Sequence, residues 1–176
     1  MAHQDENDST LAERQARRAA ISPGANAGVD EAMVHKVVHS FYDRIRADAE
    51  LGPIFNDAIQ DRWDHHLANM VDFWSSVLLM TGRYAGRPMA AHLNLDSRRG
   101  EAGMPRLDQP HFDHWLNLFR ATVDEICPPD AAALFFNRAE KIATSFVMGI
   151  RFHRGQEPDW LGPVKSEPVR SEPPKP

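Results

Sequence analysis

RWDHHLANMVDFWSSVLLMTGRYAGRPMAAHLNL, residues 62–95, is the stretch of sequence that decides the fold. Between about Ile59 and Leu79 an apolar residue recurs every three or four positions, which predicts a strongly apolar helix. The segment TGRYAGRP then interrupts the pattern with two glycines and a proline. Pro88 suits the first turn of a short second helix, PMAAHLNL, so the stretch predicts a helix, a turn and a helix.

Helical spacing continues on both sides of this stretch. Upstream, Asp30 is placed to cap a helix whose apolar residues keep helical spacing until Leu51-Gly52-Pro53 stops the run. Downstream, we predict a polar loop from Asp96 to Gln109. A further helix then carries apolar residues from Phe112 onward and closes at Cys127-Pro128-Pro129.

A last apolar stripe predicts a C-terminal helix that Asp130 caps and that runs to about His153. No segment alternates apolar and polar residues with the two-residue period of a half-buried strand. The sequence therefore predicts an all-α protein.

Length and composition bound the class of protein. A chain of 176 residues, 42% of them hydrophobic, suits one domain with a core large enough to enclose a cofactor. The formal net charge of −5 gives no electrostatic reason to expect nucleic acid or an anionic membrane as a partner. The single cysteine excludes an internal disulfide, and neither a secretory signal nor a membrane-spanning run is visible. We therefore expect a cytoplasmic protein.

The two ends of the chain differ from its middle. Residues 1–28 form a charged extension that we expect to be partly disordered or to hold a short helix through LAERQARRAA, before SPGANAG breaks the pattern. Residues 29–154 are the predicted folded domain. Residues 155–176 are rich in proline among polar residues, and we expect this tail to be disordered.

Two histidines fall at inward positions of the predicted helices. A helix turns 100° per residue, so the neighbours His65 and His66 point to different faces, and only His66 shares the apolar face. His92 raises the same question on the short helix. An imidazole buried without a partner costs about 1–3 kcal/mol, so each needs a partner or a ligand. Each alone is more often an ordinary core histidine than a ligand, but together they could approach a flat cofactor from opposite sides.

Tyr42 and Trp115 sit at or beside core positions and bring polar hydrogens with them. Either could be an ordinary core aromatic residue. Gathered around one cavity, they would supply hydrogen-bond donors to a ligand that becomes partly anionic when it binds iron.

The chain resembles the third group of the bacterial truncated haemoglobins over about residues 29–154. The matching runs are FYDRIRADAELGPIFNDAI (41–59), the opening stretch, and HFDHWLNLF (111–119). The resemblance implies a truncated globin fold, in which a two-over-two helical sandwich encloses haem b. The loop SRRGEAGMPRLDQ is longer than in compact members of the group, and the double-glycine motifs of other groups are absent.

The resemblance also assigns residues to roles. It makes His92 the ligand of the haem iron and places Tyr42, His66 and Trp115 on the opposite, distal side, facing the gas. The residues that it implies for contact with the haem are Phe55, Met70, Phe73, Met89 and Trp115. We expect Arg83 and Arg87, which stand near the haem helix, as candidates to pair with the propionates.

The family resemblance implies reversible binding of dioxygen or another diatomic gas, for storage or transport, with no dedicated catalytic residue. The alternative is a haem enzyme with nitric oxide dioxygenase or peroxidase-like activity, supplied by an unidentified reductase. The neutral histidine ligand, without the electron push of a thiolate or a visible carboxylate partner, favours binding. A third alternative, a helical interaction module without a cofactor, requires every motif match to be accidental.

Overall fold

The computed structural model describes residues 20–156 together with residues 13, 17 and 18. Residues 20–156 form seven helices and no strand: α1 (Pro23–Asn26), α2 (Glu31–Ala47), α3 (Leu51–Ile59), α4 (Trp63–Leu79), α5 (Pro88–Glu101), α6 (Gln109–Ile126) and α7 (Pro129–His153). The predicted all-α class is confirmed. Most of the predicted helix at residues 11–20, and the predicted tail from residue 157 onward, lie outside the described residues.

Two pairs of helices build the core. α2 packs against α4, α6 packs against α7, and α2 also packs against α6. Between the pairs, the Trp74 ring of α4 stacks on Phe119 of α6, with ring centroids 5.0 Å apart, and lies 5.7 Å from Phe135 of α7. The two-over-two arrangement is therefore present. α5 stands outside the two pairs and packs against α7.

Local sequence signals explain where α2 begins. The Asp30 side chain accepts a hydrogen bond from the Met33 backbone N–H at 2.7 Å and so caps the helix, as predicted. The predicted apolar stripe is buried along the whole helix; its members are Val34, Val37, Val38, Phe41, Tyr42 and Ile45.

The prediction of one helix from Ile59 to Leu79 is wrong at its start. Leu51-Gly52-Pro53 does not end a helix but forms the first turn of α3. The Asp48 carboxylate stabilises this turn because it accepts hydrogen bonds from the backbone N–H groups of Leu51 and Glu50. Proline is tolerated in the first turn of a helix, where its missing N–H has no partner to lose. Gln60 then adopts a positive φ of 57°, which separates α3 from α4.

The predicted loop from Asp96 to Gln109 is confirmed for residues 102–108, but it starts later than predicted. α5 continues to Glu101, and Asp96 is fully buried in it. Its carboxylate accepts hydrogen bonds from the Arg154 guanidinium, with Nε at 3.0 Å, and from the Leu107 backbone N–H at 3.0 Å. We call Asp96, Leu107 and Arg154 the Asp96 clamp. Polar residues alone suggested a loop, whereas the ion pair allows them to be buried in a helix.

The last helix begins earlier than predicted. Pro128 occupies the cap position and Pro129 the first helical position, so Asp130 does not cap α7. Its carboxylate lies in the first turn, where a negative charge still interacts favourably with the helix dipole. In the predicted breaker SPGANAG, the Ser22 side chain caps the short helix α1.

None of the helices in the described residues combines the length and the apolar character that crossing a bilayer requires.

Acid should weaken the protein through Asp96. Burial acts to raise the pKa of this carboxyl, but the hydrogen bond and charge of Arg154 outweigh it and hold the pKa below its usual range. A carboxyl whose pKa is lowered in the folded state stabilises the fold at pH values above its pKa in the unfolded chain, which is about 3.9 for Asp. This contribution is lost as the pH falls through the pKa of the folded state. The free-energy difference between wild type and Asp96→Asn, from urea unfolding, should therefore be largest at neutral pH and shrink below about pH 4. Asp43→Asn, at an exposed position of α2, is the control, and a difference that stays constant with pH would contradict the assignment.

Candidate functional site

Two helices, α4 and α5, pack mainly against other helices rather than against each other, and we call the space between them the cleft. α4 packs against α1 and α2, and α5 packs against α7, whereas α4 and α5 are not among the helix pairs in close contact in the described part of the chain. An irregular segment, residues 80–87, joins them. This arrangement leaves the sides of α4 and α5 that face each other available to a bound group.

The exposure of apolar residues agrees with such a cleft. The buried residues of α4, namely Trp74, Ser75, Leu78 and Leu79, lie toward its C-terminal end. The predicted apolar stripe nearer its N-terminus stays half-buried; its apolar members there are Trp63, Leu67, Met70 and Phe73. α5 buries no apolar side chain fully. Both helices therefore carry apolar surface that the described residues cover only in part.

His92 lies on α5 with one ring nitrogen already engaged. Its Nδ1 lies 2.8 Å from the Pro88 carbonyl oxygen, which can only accept, so Nδ1 carries the proton and donates. Nε2 is then unprotonated, and no residue within 20–156 hydrogen-bonds to it. Burial lowers the pKa of His92 while the hydrogen bond to Pro88 opposes this shift. The ring is thus neutral and presents a free lone pair, as a metal ligand requires.

Two phenylalanines hold the His92 ring from the side of α6 and α7. Phe146 of α7 stacks on it, with centroids 4.1 Å apart and planes at 24°, and Phe112 of α6 lies 6.3 Å away. Nothing in the sequence indicated that Phe146 lies against His92. Helical spacing within one element carries no information about which residue of another element lies opposite.

His66 is the second histidine at the cleft, and the helical-phase prediction for it is confirmed. His65 is exposed, and its Nε2 lies 3.0 Å from Nδ2 of Asn69. Nε2 of His66, by contrast, is buried without a hydrogen-bond partner among the described residues. Burial lowers the pKa of His66 to about 4, with further contributions from the charges of His92, His65 and Arg62. His66 is therefore neutral, and its buried nitrogen calls for a partner that the chain does not supply.

Tyr42 is brought against His66. The two rings meet edge to face, with centroids 5.0 Å apart and planes at 88°. Tyr42 is buried, and burial raises the pKa of its phenol, with a smaller contribution from Tyr84, so the hydroxyl keeps its proton. Phe55 and Trp63 lie 6.1 and 6.2 Å from the Tyr42 ring. Tyr42, His66, Phe55 and Trp63 thus form one aromatic cluster at the cleft, and Trp63 is the member that the sequence did not single out.

Trp115 is not part of that cluster. Its ring meets Phe41 edge to face at 5.2 Å and stacks on Phe119 at 5.3 Å, and no ring contact with Tyr42 or His66 is found among the described residues. The predicted trio is therefore only partly brought together. Trp115 is connected to Tyr42 through Phe41, the adjacent residue on α2.

The remaining predicted contact residues occupy both helices. Phe73 of α4 meets Tyr84 at 5.1 Å, and Met70 is half-buried against the core. Met89 of α5 lies against α7 at Gly149, where an added Cβ would come within 2.5 Å of its sulfur. A side chain larger than hydrogen at position 149 would displace Met89.

Of the two arginines near the cleft, Arg83 already has partners. It pairs with Glu31 at 2.8 Å and with Asp72 at 2.9 Å, so pairing with a propionate would require it to leave both carboxylates. Arg87 is exposed, and none of the ion pairs found in residues 20–156 involves it. Arg87 is therefore the better candidate of the two.

Taken together, the residues at the cleft fit a flat apolar group with a metal at its centre. His92 offers an oriented, unprotonated nitrogen, His66 contributes a second buried nitrogen without a partner, and apolar side chains on α4 and α5 remain half-covered. This donor set suits an imidazole-ligated iron porphyrin.

Comparisons with known proteins identify the family of the chain. No protein-family model matches the chain. The chain is 32% identical over 121 residues to the group 3 truncated hemoglobin ctb of Campylobacter jejuni, covering 67% of this chain and 88% of that protein. Its structure is similar to the crystal structure of the group III truncated hemoglobin from Campylobacter jejuni, with a TM-score of 0.60, 30% sequence identity and coverage of 69% of this chain and 91% of the other. The chain belongs to the group III truncated haemoglobins, and its all-α fold is a globin fold.

Proposed function

We propose that the protein binds haem b in the cleft between α4 and α5 and reversibly binds dioxygen or another diatomic gas there. In this proposal His92 is the iron ligand, and Tyr42, His66 and Trp115 lie on the side of the gas. Phe55, Met70, Phe73 and Met89 contact the haem. The haem supplies an iron with one coordination position left for the gas.

The state of His92 is the observation that carries the proposal. Its Nδ1 donates to the Pro88 carbonyl, which fixes the tautomer and the ring orientation, and Nε2 stays free. Stacking on Phe146 restricts the ring further. A histidine that merely completed a core would be expected to use both of its nitrogens.

The chemistry of the distal side supports a gas ligand that accepts hydrogen bonds. Burial keeps Tyr42 protonated, so its hydroxyl can donate. Burial also keeps His66 neutral. In the tautomer that has its proton on Nε2, this nitrogen can donate a hydrogen bond to the ligand. Donors in a site of low dielectric stabilise a ligand that becomes partly anionic.

The acceptor at His92 favours binding over turnover. Nδ1 of His92 donates to a backbone carbonyl rather than to a carboxylate. A neutral acceptor leaves the imidazole a weaker electron donor than the ligands typical of oxygen-cleaving haem enzymes. Nitric oxide dioxygenase or peroxidase-like activity, with an unidentified reductase, is the alternative.

The single cysteine is followed by Pro128 and Pro129 and offers no covalent haem-attachment motif, which supports haem b. We also propose a cytoplasmic location.

Optical spectra of the purified, haem-supplemented protein test the proposal. The ferric and deoxygenated forms should show the Soret and visible bands of a histidine-ligated haem, and adding and removing dioxygen should change them reversibly. A colourless protein would contradict haem binding. Consumption of nitric oxide or peroxide with a reductant, well above the rate of autoxidation, would replace gas binding by the enzyme alternative.

A further inference from the structure

The helix that carries His92 is attached to the protein in an unusual way. The buried residues of α5 are Asp96 and Arg99, both of them charged, whereas Leu93 and Leu95 are only half-buried. A typical surface helix is held by a buried apolar stripe. α5 lacks one, so polar contacts carry a larger share of its attachment.

The Asp96 clamp supplies the most enclosed of these contacts. The Asp96 side chain is 0% exposed and that of Arg154 is 16% exposed. Arg154 approaches both carboxylate oxygens, with Nε 3.0 Å from Oδ2, and also donates to the Leu107 carbonyl oxygen. Leu107 in turn donates its backbone N–H to Asp96 at 3.0 Å. The clamp therefore joins α5, the segment before α6 and the C-terminal end of α7 in one hydrogen-bonded unit.

A second contact restrains the loop that follows α5. Arg99 Nε donates to the Pro105 carbonyl oxygen at 2.7 Å, and Met104 N–H donates to the Arg99 carbonyl at 2.9 Å. These bonds hold the segment that carries Leu107 close to α5. The Leu107 backbone, which takes part in the Asp96 clamp, is therefore held at a fixed position relative to α5.

The clamp acts on the same side of α5 as His92. Asp96 follows His92 by four residues, about one helical turn, so both point toward the same neighbour. That neighbour is α7, where Phe146 stacks on His92 and Arg154 follows eight residues later. α5 and α7 are therefore joined at a ring stack and at an ion pair, and the ring cannot shift along α7 without breaking the ion pair.

We infer that Asp96 and Arg154 are positioning residues that fix the height and angle at which His92 presents Nε2 to the iron. The inference rests on the proposed ligation by His92. A bidentate guanidinium–carboxylate pair permits one relative geometry, whereas apolar contacts tolerate sliding. Asp96 and Arg154 thus act on the site through α5 rather than by direct contact with the haem.

Resonance Raman spectroscopy of the deoxygenated full-length protein tests the inference, because the iron–histidine stretching band responds to the strength and tilt of that bond. Asp96→Asn removes the charge at constant volume, and Arg154→Lys keeps the charge but loses the planar fork. Val123→Ala, in the core of α6 away from α5, is the control for a general loss of stability. Hydrogen exchange of residues 92–101 and the rate of haem transfer to an acceptor globin are measured on the same proteins.

Asp96→Asn should broaden or shift the iron–histidine band, raise amide exchange across residues 92–101 and accelerate haem loss by about 10-fold. Arg154→Lys should show the same changes to a smaller extent, so it provides the test if Asp96→Asn folds poorly. Val123→Ala should leave the band unchanged even though it lowers the melting temperature.

An unchanged band in both clamp variants, or an equal change in Val123→Ala, would overturn the positioning role and leave the proposed function intact. A wild-type protein that binds haem without any iron–histidine band would overturn the ligation by His92, and the positioning role with it.

Discussion

His92→Gly is expected to lose most of its haem during purification and to release the remainder about 100-fold faster than wild type or more, equivalent to about 2.8 kcal/mol. The reason is that Nε2 of His92 is the unprotonated nitrogen that the Pro88 hydrogen bond orients. Without it, the proposed haem would have no ligand from α5 and would be held by its remaining contacts alone. Haem content by pyridine haemochrome and the rate of transfer to an acceptor globin measure the effect.

Added imidazole should partly restore the spectrum of His92→Gly. The deleted ring leaves a space beside Phe146, on which His92 stacks at 4.1 Å, and a free imidazole can occupy it and ligate iron. His65→Gly is the matched control, since it places the same substitution within a helix but removes an exposed histidine. A His92→Gly protein with a wild-type spectrum in the absence of imidazole would show that another residue ligates the iron.

The helices whose apolar stripes face the protein core could be predicted from the sequence. The stripe of α2 and the inward phase of His66 follow from a fixed 100° rotation per residue, so they need no knowledge of the rest of the chain. The extent of α5 could not be predicted in this way. Asp96 looks like a loop residue until Arg154, 58 residues further along the chain, makes its burial favourable.

The site shows the same division. His92, His66 and Tyr42 could be selected because a polar group at an inward position needs a partner, which is a local argument. The stack of Phe146 on His92 and the separation of Trp115 from Tyr42 depend on which helices pack together. α3 as a whole was missed for a different reason: the proline was taken as a stop, whereas the Asp48 carboxylate accepts hydrogen bonds from the Glu50 and Leu51 N–H groups where the helix begins.

Tyr42→Phe is expected to accelerate dioxygen dissociation by about 10- to 100-fold, because a hydrogen bond to a charged partner is worth about 1.5–3 kcal/mol. The substitution removes only the hydroxyl, so the ring contacts with His66, Phe55 and Trp63 remain. Carbon monoxide carries less negative charge when it is bound, so its dissociation rate should change much less. Flash photolysis and stopped-flow displacement measure the two rates.

Trp115→Phe is the informative comparison for Tyr42→Phe, because Trp115 and Tyr42 lie in different surroundings. Trp115 packs on Phe41 and Phe119 and has no ring contact with Tyr42 or His66 among the described residues, so its indole donates from further away or after a rearrangement. We therefore expect a smaller acceleration than for Tyr42→Phe. Combining Tyr42→Phe with His66→Leu should give an effect that is not the sum of the two, since the rings lie 5.0 Å apart and would share one ligand in the proposed site. Additive effects would show that Tyr42 and His66 act independently, and a larger effect at Trp115 would shift the main hydrogen-bond donor from the Tyr42–His66 pair to the indole of α6.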